Sequence, residues 1–312
     1  MGSVEGCFER ATRVDDSRLA PFARGVRDAD LRAWGDAPCG LFLAESPAVI
    51  EAALDAGCRP RALLAEEGLL AGDPVAASST SVRGASPTSA SAQPILTQPT
   101  PRALAARIHA AYPETPLLSA PSQLFAQLAG YANPRSALVA FERPAEPDLA
   151  ALLARARRIA VLEDVGNYAN IGAAFRAAHA FGIDAVLVTP SCHDPLFRRA
   201  ARASRGTVLR VPWARIGERR EWAAAGIPRL HAAGFEVAAF ALEDRSIPLG
   251  HPRLRTAPKL AIVLGTEGAG LLPSTLERCD HVVKIPMAHD VDSLNVAAAS
   301  AVAFWELRTP SA

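Results

Sequence analysis

The second half of this sequence alternates short apolar runs with longer runs whose apolar residues follow helical spacing. From Arg158 onward the strand-like runs are RIAVLED, DAVLVTP, TVLRVPW, FEVAAFAL, KLAIVLG and HVVKIPM. A parallel sheet is buried on both faces, so its strands are nearly continuous apolar runs, and helices connect one strand to the next. The pattern therefore predicts an α/β fold with a parallel sheet, in which ligands bind at the carboxyl ends of the strands.

Helical runs separate these strands, as the fold class requires. Gly182 is expected to end the first helix, because glycine readily adopts the left-handed conformation that follows a helix. Pro228 is expected to interrupt the third helix, because proline lacks an amide hydrogen. The helical runs are NIGAAFRAAHAFG, DPLFRRAARAS, REWAAAGIPRLHAAG, STLERCD and VAAASAVAFWEL.

The first half of the chain follows a similar but looser pattern. Strand-like runs GLFLAES, RALLAEE, TPLLSA and SALVAFER are separated by the helix-like runs PAVIEAALDAG, RALAARIHAAY and SQLFAQLAG. We therefore expect a small α/β domain over residues 1–142. The proline-bearing stretch at residues 143–154 is expected to be a linker to a second domain over residues 155–312.

One segment of the first half breaks this pattern. Residues 71–101 contain 6 Ala, 6 Ser, 4 Thr and 5 Pro, and their only charged residues are Asp73 and Arg83. Such a composition has no apolar periodicity and cannot bury a core. The segment is expected to be a disordered insert.

Composition narrows the class of protein. The net charge of +1 favours no polyanionic partner by itself, and apolar residues make up an ordinary 50%. The five cysteines are scattered without a CxxC pair, and the first 18 residues lack the apolar core of a signal peptide. The longest small-apolar run is about half a membrane span. We therefore expect a cytoplasmic protein without a metal site, since Cys192-His193 alone is too little for zinc.

Two polar loops follow predicted strands. The loop EDVGNYANIGAAFR at residues 163–176 carries Asn167, Asn170 and Gly172 at a strand-to-helix turn, and Arg176 in the helix. The loop LGTEGAGL at residues 264–271 has three glycines around Glu267. Its spacing, GxxGxG, is not the GxGxxG spacing of a dinucleotide-binding loop, which argues against a nicotinamide-dependent dehydrogenase. Turn chemistry and a solvent-exposed arginine would also explain these residues.

A third polar loop, AHDVDSLN, precedes the final helix. Ser293 and Asn295 lie where that helix should begin, and side chains of this type cap helices by accepting hydrogen bonds from its first amides. Capping alone would explain both residues. The occurrence of all three loops, in this order and at strand ends of one domain, favours a shared binding site.

The three loops resemble the motifs of the SpoU/TrmH-like branch of the SPOUT superfamily of RNA methyltransferases. Asn170-Ile171-Gly172 through Arg176 is similar to the first motif, and Gly265 through Gly270 to the second. The third motif resembles Ile285-Pro286-Met287 together with Ser293-Leu294-Asn295. The match to the family's N-terminal substrate-binding domain, over residues 1–142, is much looser.

The resemblance implies a fold that periodicity could not have indicated. SPOUT domains tie a deep trefoil knot, a rare exception to un-knotted topology. The knotted loops bind S-adenosylmethionine, and the family works as homodimers with the active site at the interface. The residues that the resemblance assigns to the cofactor are Leu264, Gly265, Thr266, Gly270, Ile285, Met287 and Leu294.

The implied reaction is methyl transfer to a ribose 2′-hydroxyl. Arg176 is expected to orient the hydroxyl, stabilise its charge and grip a phosphate. An arginine gives up its proton only at very high pH, which favours this role over that of a general base, and the general-base role is an open alternative. The resemblance places four further residues in the catalytic set, namely Asn170, Glu267, Ser293 and Asn295. For Glu267 a purely structural role in its loop is an open alternative.

The substrate is expected to be RNA. Four arginines of FRRAARASRG are expected on one helical segment, where Arg205 would continue the face of Arg198 and Arg202. Either a solvent-exposed helix face or contacts with RNA phosphates would explain these arginines. Ribosomal RNA is favoured because of the appended N-terminal domain, and transfer RNA is the alternative. A catalytically inactive protein that only binds RNA is a further alternative, which the intact motifs disfavour. The four residues are Arg198, Arg199, Arg202 and Arg205.

Overall fold

The computed structural model describes residues 4–71, 98–130, 136–218, 221–266, 268–289 and 293–309. It divides into two compact units, Met1–Glu142 and Arg143–Ala312. The segment expected as a linker belongs to the second unit and contains a helix over Leu149–Arg155. Within the described residues, no helix is long and apolar enough to cross a membrane.

The N-terminal unit is built on a five-stranded mixed sheet. Its strand order is β1-β4-β3-β5-β2, with β5 antiparallel to both its neighbours and the other pairs parallel. The strands are β1 Phe8–Arg10, β2 Leu41–Ala44, β3 Pro60–Glu66, β4 Leu117–Ala120 and β5 Leu138–Glu142. The helices are α1 Asp28–Arg32, α2 Pro47–Asp55, α3 Glu67–Ala71, α4 Pro101–Ala111 and α5 Ser122–Ala129.

The predicted elements of this unit are confirmed. The four strand-like runs form β2 to β5, and the three helix-like runs form α2, α4 and α5. Most of the Ala/Ser/Thr/Pro-rich insert, residues 72–97, lies outside the described residues. The last residue of the insert, Pro101, already belongs to helix α4, and Thr100 caps this helix by accepting a 3.2 Å hydrogen bond from the Ala103 amide.

The C-terminal unit is built on a seven-stranded sheet, and every pairing among its described strands is parallel. The strand order is β10-β12-β9-β11-β6-β7-β8. The strands are β6 Arg158–Leu162, β7 Ala185–Val188, β8 Trp213–Arg215, β9 Glu236–Phe240, β10 Ile247–Pro248, β11 Leu260–Leu264 and β12 His281–Lys284. The helices are α6 Leu149–Arg155, α7 Tyr168–Ala180, α8 Arg198–Ala203, α9 Trp222–Ala232, α10 Pro252–Thr256, α11 Pro273–Arg278 and α12 Val296–Leu307.

Burial explains why the central strands were recognisable in the sequence. All five residues of β6 and all five of β11 are buried, although successive side chains point to opposite faces. Both faces of the sheet are therefore covered, which confirms the predicted α/β class with a parallel sheet. The trefoil knot stays a prediction that rests on the resemblance.

Two local predictions were wrong. The run TVLRVPW is not one strand: Thr207–Leu209 form a 3₁₀ turn, and β8 begins only at Trp213. Its valines Val208 and Val211 are buried by the turn, which produced the strand-like pattern. Helix α9 also runs through Pro228 without a break, because burial of its apolar face outweighs the cost of a proline inside a helix, about 3 kcal/mol for the lost hydrogen bond and the ring clash together.

Candidate functional site

A cleft of about 690 Å³ opens at the carboxyl ends of β9, β11 and β12, and we call it the strand-end cleft. Two of the loops that the sequence singled out, residues 264–271 and the loop before the final helix, form its walls together with the ends of β9 and β12, and the first loop contributes no lining residue. The volume lies within the range of small-molecule sites. Its lining residues are 240–243, 264–266, 268–271, 283–285 and 293–296, together with Leu276, Met287 and Ala299.

The glycine loop after β11 forms one wall through its backbone. A Cβ atom on Gly265 would lie 2.6 Å from the carbonyl carbon of Gly270 and 2.9 Å from the amide of Leu271. Gly268 and Gly270 have φ angles of +86° and +68°, which side-chain-bearing residues rarely adopt. The Gly270 amide closes the turn by donating to the Thr266 carbonyl at 3.2 Å. The loop is therefore a tight turn that only glycine allows at these positions.

All seven residues assigned to the cofactor by resemblance line this cleft. Ser293 and Asn295 line it too, and Ser293 is exposed. Glu267 lies outside the described residues. The seven residues are Leu264, Gly265, Thr266, Gly270, Ile285, Met287 and Leu294.

Asn295 joins the first and third loops. Its side-chain amide donates to Oδ1 of Asn170 at 3.2 Å, and Asn170 is buried in the first turn of α7. The Oδ1 atom of Asn295 also accepts a 2.8 Å hydrogen bond from the Ala297 amide and so caps α12. One side chain thus does both things that its position suggested, capping and site formation.

Glu163, which sequence reasoning missed, fixes the other side of the glycine loop. Its side chain is fully buried at the end of β6. It accepts hydrogen bonds from Nε1 of Trp222 at 2.7 Å, the Leu272 amide at 2.5 Å and Oγ1 of Thr275 at 2.6 Å. Burial raises the pKa of this carboxyl above its ordinary value, while the three hydrogen bonds oppose the shift. Glu163 therefore ties β6, α9 and α11 together directly behind the cleft.

A second cleft of about 640 Å³ lies beside the first, and we call it the Tyr168 cleft. Its residues come from the start of α7 and from α8, and they include Arg199 and Arg202. Thr266 lines both clefts, so the two are neighbours. The remaining lining residues are Gly166, Asn167, Tyr168, Ala169 and Ala203.

The predicted arginines separate into different places. Arg199 and Arg202 are exposed on α8, and Arg198 is partly buried there. Arg205 does not continue their face, because α8 ends at Ala203 and Arg205 has a left-handed φ of 53°. Arg176 lies on the exposed side of α7 and is not among the residues that line either cleft.

The segment at the end of β9 was missed as part of the site. Phe240, Ala241, Leu242 and Glu243 all line the strand-end cleft. Only their place at a strand's carboxyl end could have indicated them. In the parts of the chain that the structure describes, no group of three His, Cys, Asp or Glu residues could hold a metal ion.

Comparisons with known proteins agree with this geometry. Residues 157–305 match the model of the SpoU rRNA Methylase family. A tRNA/rRNA methyltransferase of Mycobacterium bovis, described as uncharacterized, is 37% identical over 192 residues, which are 61% of this chain and 65% of that protein. The chain thus spans just under two thirds of the length of this relative.

Solved structures share the fold along almost the whole chain. An AdoMet-bound rRNA methyltransferase from Sinorhizobium meliloti superposes with a TM-score of 0.72 at 20% identity, over 97% of this chain and 98% of that one. The SpoU methyltransferase AviRb from Streptomyces viridochromogenes has a TM-score of 0.64 at 22% identity, over 93% of this chain and 95% of that one.

Fold and site together define the C-terminal unit as a parallel α/β domain whose ligand cleft is built by strand-end loops. Its order of motifs matches the family model over residues 157–305. Over these residues the unit is similar to the SpoU rRNA Methylase family and to its tRNA/rRNA methyltransferase relatives. The resemblance inferred from the sequence is confirmed.

Proposed function

We propose that this protein transfers the methyl group of S-adenosylmethionine to a ribose 2′-hydroxyl of RNA, with ribosomal RNA as the substrate. The observation that carries the proposal is the meeting of the second and third motif loops in one cleft, with Asn295 of the third loop bonded to Asn170 of the first. The family match and the name of the mycobacterial relative support methyl transfer to RNA.

The strand-end cleft fits this cofactor in size and chemistry. Apolar side chains such as Leu242 and Leu294 offer flat contacts for an adenine ring, and the backbone of the glycine loop offers amides and carbonyls. The absence of a Cβ atom on Gly265 lets the backbone of Gly270 pack against it, which keeps this wall of the cleft tightly turned. Glu243 also lines the cleft and supplies a carboxylate acceptor for hydroxyl groups.

The bound cofactor would supply an electrophilic methyl group on a sulfonium ion. The protein then has to hold the 2′-hydroxyl in line with that methyl group, and positioning of this kind contributes much of the rate. Arg176 is the residue that orients the hydroxyl, stabilises its developing charge and grips the adjacent phosphate. Asn170, Ser293 and Asn295 form the polar wall beside it.

A homodimer would bring Arg176 to the site. Arg176 lies on the exposed side of α7, away from the clefts of its own chain. Helix α12, which packs on α7, exposes Val302 at 41% and Trp305 at 54%, and the Trp305 ring meets Phe181 edge-on at 5.7 Å. We place the dimer interface on this apolar surface, so that Arg176 of one protomer completes the cleft of its partner.

The proposal also covers how the protein binds RNA and where in the cell the reaction takes place. Arg199 and Arg202 lie on the Tyr168 cleft, where their guanidinium groups can contact RNA phosphates. The N-terminal unit would recognise the shape of a folded RNA, which favours ribosomal RNA. We place the reaction in the cytoplasm, where the five free cysteines stay reduced.

Methyl transfer from labelled S-adenosylmethionine tests the proposal. Wild type, Arg176→Ala and the control Arg229→Ala would be given bacterial ribosomal and transfer RNA separately, followed by nucleoside analysis. Arg229 is an exposed arginine of α9 that lines neither cleft. We expect a 2′-O-methylated nucleoside in ribosomal RNA from wild type and from the control, and its loss with Arg176→Ala. Methylation of transfer RNA alone would show that transfer RNA, and not ribosomal RNA, is the substrate. A methylated base would refute the ribose as the acceptor.

Mixing tests the dimer. Asn170→Ala and Arg176→Ala are each expected to be inactive, but a mixed dimer would contain one site with both residues intact. We therefore expect partial recovery of activity when the two variants are refolded or co-expressed together. No recovery, in a mixture shown to contain heterodimers, would refute the shared site.

A further inference from the structure

Three aromatic rings form a stack at the edge of the Tyr168 cleft, and we call His193, Tyr168 and Phe197 the ring stack. The Tyr168 ring lies 4.3 Å from the His193 ring and 4.3 Å from the Phe197 ring, centroid to centroid, with interplanar angles of 29°. His193 is exposed, and Tyr168 and Phe197 are partly buried. The stack therefore reaches the surface at the His193 ring and is not part of the core.

The loop that carries His193 is held in place on both sides. The amide of His193 donates to the Val165 carbonyl at 3.2 Å. The next residue, Asp194, is buried, and it accepts hydrogen bonds from Nη2 of Arg143 at 2.8 and 2.7 Å and from the Leu196 amide at 2.8 Å. The rings are therefore fixed before any ligand arrives, which lowers the entropic cost of stacking on them.

Charge and position indicate what the stack receives. Arg199 and Arg202 line the same cleft as Tyr168, and Thr266 connects that cleft with the strand-end cleft. Aromatic faces next to arginines recognise unpaired nucleotides, because bases stack on the rings while guanidinium groups contact the phosphates. A duplex presents no free base face, so the ligand has to be an unpaired nucleotide.

We infer that the ring stack is a binding site for one unpaired nucleobase of the RNA, next to the nucleotide whose ribose is methylated. The inference rests on the function proposed above. It adds a subsite that none of the three motifs contains, since His193 and Phe197 come from the β7–α8 loop. Stacking accepts any base, so the site contributes affinity and position, and sequence preference comes from elsewhere.

Fluorescence of a stacked base tests this site directly. The probe is a single-stranded 12-mer RNA with several 2-aminopurine bases, whose emission falls when the base stacks on an aromatic ring. The protein variants are Tyr168→Leu, which keeps apolar volume without a ring, Tyr168→Phe, which keeps the ring, and His193→Ala. The matched control is His231→Ala, an exposed histidine of α9 that lines neither cleft.

Quenching is expected with wild type, Tyr168→Phe and His231→Ala, and its loss with Tyr168→Leu and His193→Ala. The two ring-deleting variants should bind the RNA about 5- to 150-fold more weakly, the range for one stacked base. Their salt dependence should equal that of wild type, because no charge contact is lost. Arg199→Ala should instead reduce the slope of log affinity against log salt by about 0.7 for single-stranded RNA.

Equal quenching and affinity in wild type and both ring-deleting variants would overturn the inference, and so would the absence of binding or quenching with wild type. Thermal unfolding with and without S-adenosylhomocysteine checks that each variant is folded and keeps its cofactor site. The proposed function fails separately, by the absence of methyl transfer and of S-adenosylhomocysteine binding in wild type.

Discussion

Replacing Glu163 by alanine should loosen the glycine loop without touching a residue that lines either cleft. The carboxylate accepts from Trp222 at the start of α9 and from Leu272 and Thr275 at the start of α11. Leu271, the neighbour of Leu272, lines the strand-end cleft. The substitution therefore removes the link between the loop and the sheet behind it.

The expected cost follows from the number of donors left without a partner. An unsatisfied buried donor costs about 1–3 kcal/mol, and the Thr275 hydroxyl can rotate to another acceptor, so two donors and a small cavity remain. We expect a loss of about 3–5 kcal/mol in the free energy of unfolding. For a unit of this size that corresponds to a fall of about 6–20 °C in melting temperature.

Differential scanning calorimetry of wild type and Glu163→Ala measures this cost. Addition of S-adenosylhomocysteine identifies the transition of the C-terminal unit, because ligand binding raises its melting temperature. The control is Glu277→Ala on α11, whose side chain is 72% exposed and which should change the unfolding free energy by less than about 0.5 kcal/mol. The same samples give the affinity for S-adenosylhomocysteine, which should fall in Glu163→Ala and stay constant in the control.

A change below about 1 kcal/mol in Glu163→Ala would refute the reasoning, because it would mean that the three donors find other partners or water. A large loss of stability with unchanged ligand affinity would refute only the expected fall in affinity for S-adenosylhomocysteine. In that case Glu163 would stabilise the sheet and the helices without shaping the cleft.

Three further predictions follow from the same region. Burial raises the pKa of Glu163 above the value that this carboxyl has in the unfolded chain. The stability that this shift contributes is therefore fully present below the unfolded pKa, and it is lost as pH rises through the folded pKa. The melting temperature of wild type minus that of Glu163→Gln should therefore fall as pH increases, and a difference that grows with pH would contradict this. Gly265→Ala should cost about 1–3 kcal/mol and abolish S-adenosylhomocysteine binding, since its Cβ would meet Gly270 at 2.6 Å, and unchanged binding by calorimetry would contradict this. Asn295→Asp keeps the oxygen that caps α12 but loses the amide that donates to Asn170. Its melting temperature should therefore stay near that of wild type, while methyl transfer falls. Asn295→Ala loses the cap as well, and should also lose about 0.5–2 kcal/mol of stability. Equal melting temperatures for the two Asn295 variants would show that the cap contributes nothing.

The parallel sheet could be predicted because its cause is local in the sequence. A strand buried on both faces, such as β11, has to be apolar throughout, and that pattern is visible without the fold. The meeting of the second and third loops at one cleft could also be predicted, because the carboxyl ends of parallel strands lie at one edge, whereas the first loop lines the neighbouring Tyr168 cleft. The resemblance added the identity of the residues that line it.

Other features depend on contacts that the sequence does not reveal. The tolerance of Pro228 within α9 depends on the burial of neighbouring side chains against the sheet. The role of Glu163 depends on three partners that lie 59, 109 and 112 residues away along the chain. The ring stack likewise joins Tyr168 to a loop 25 or more positions further on, and the outward direction of Arg176 follows from the packing of α7.

Thr266, which lines both clefts, has a consequence for the accuracy of the reaction. On the proposed function, donor and acceptor approach each other across the width of a single side chain, and that side chain stands in the tight turn where Gly265 packs against the backbone of Gly270. Selection of one hydroxyl on a large RNA then becomes a question of which group can pass Thr266 to reach the methyl group.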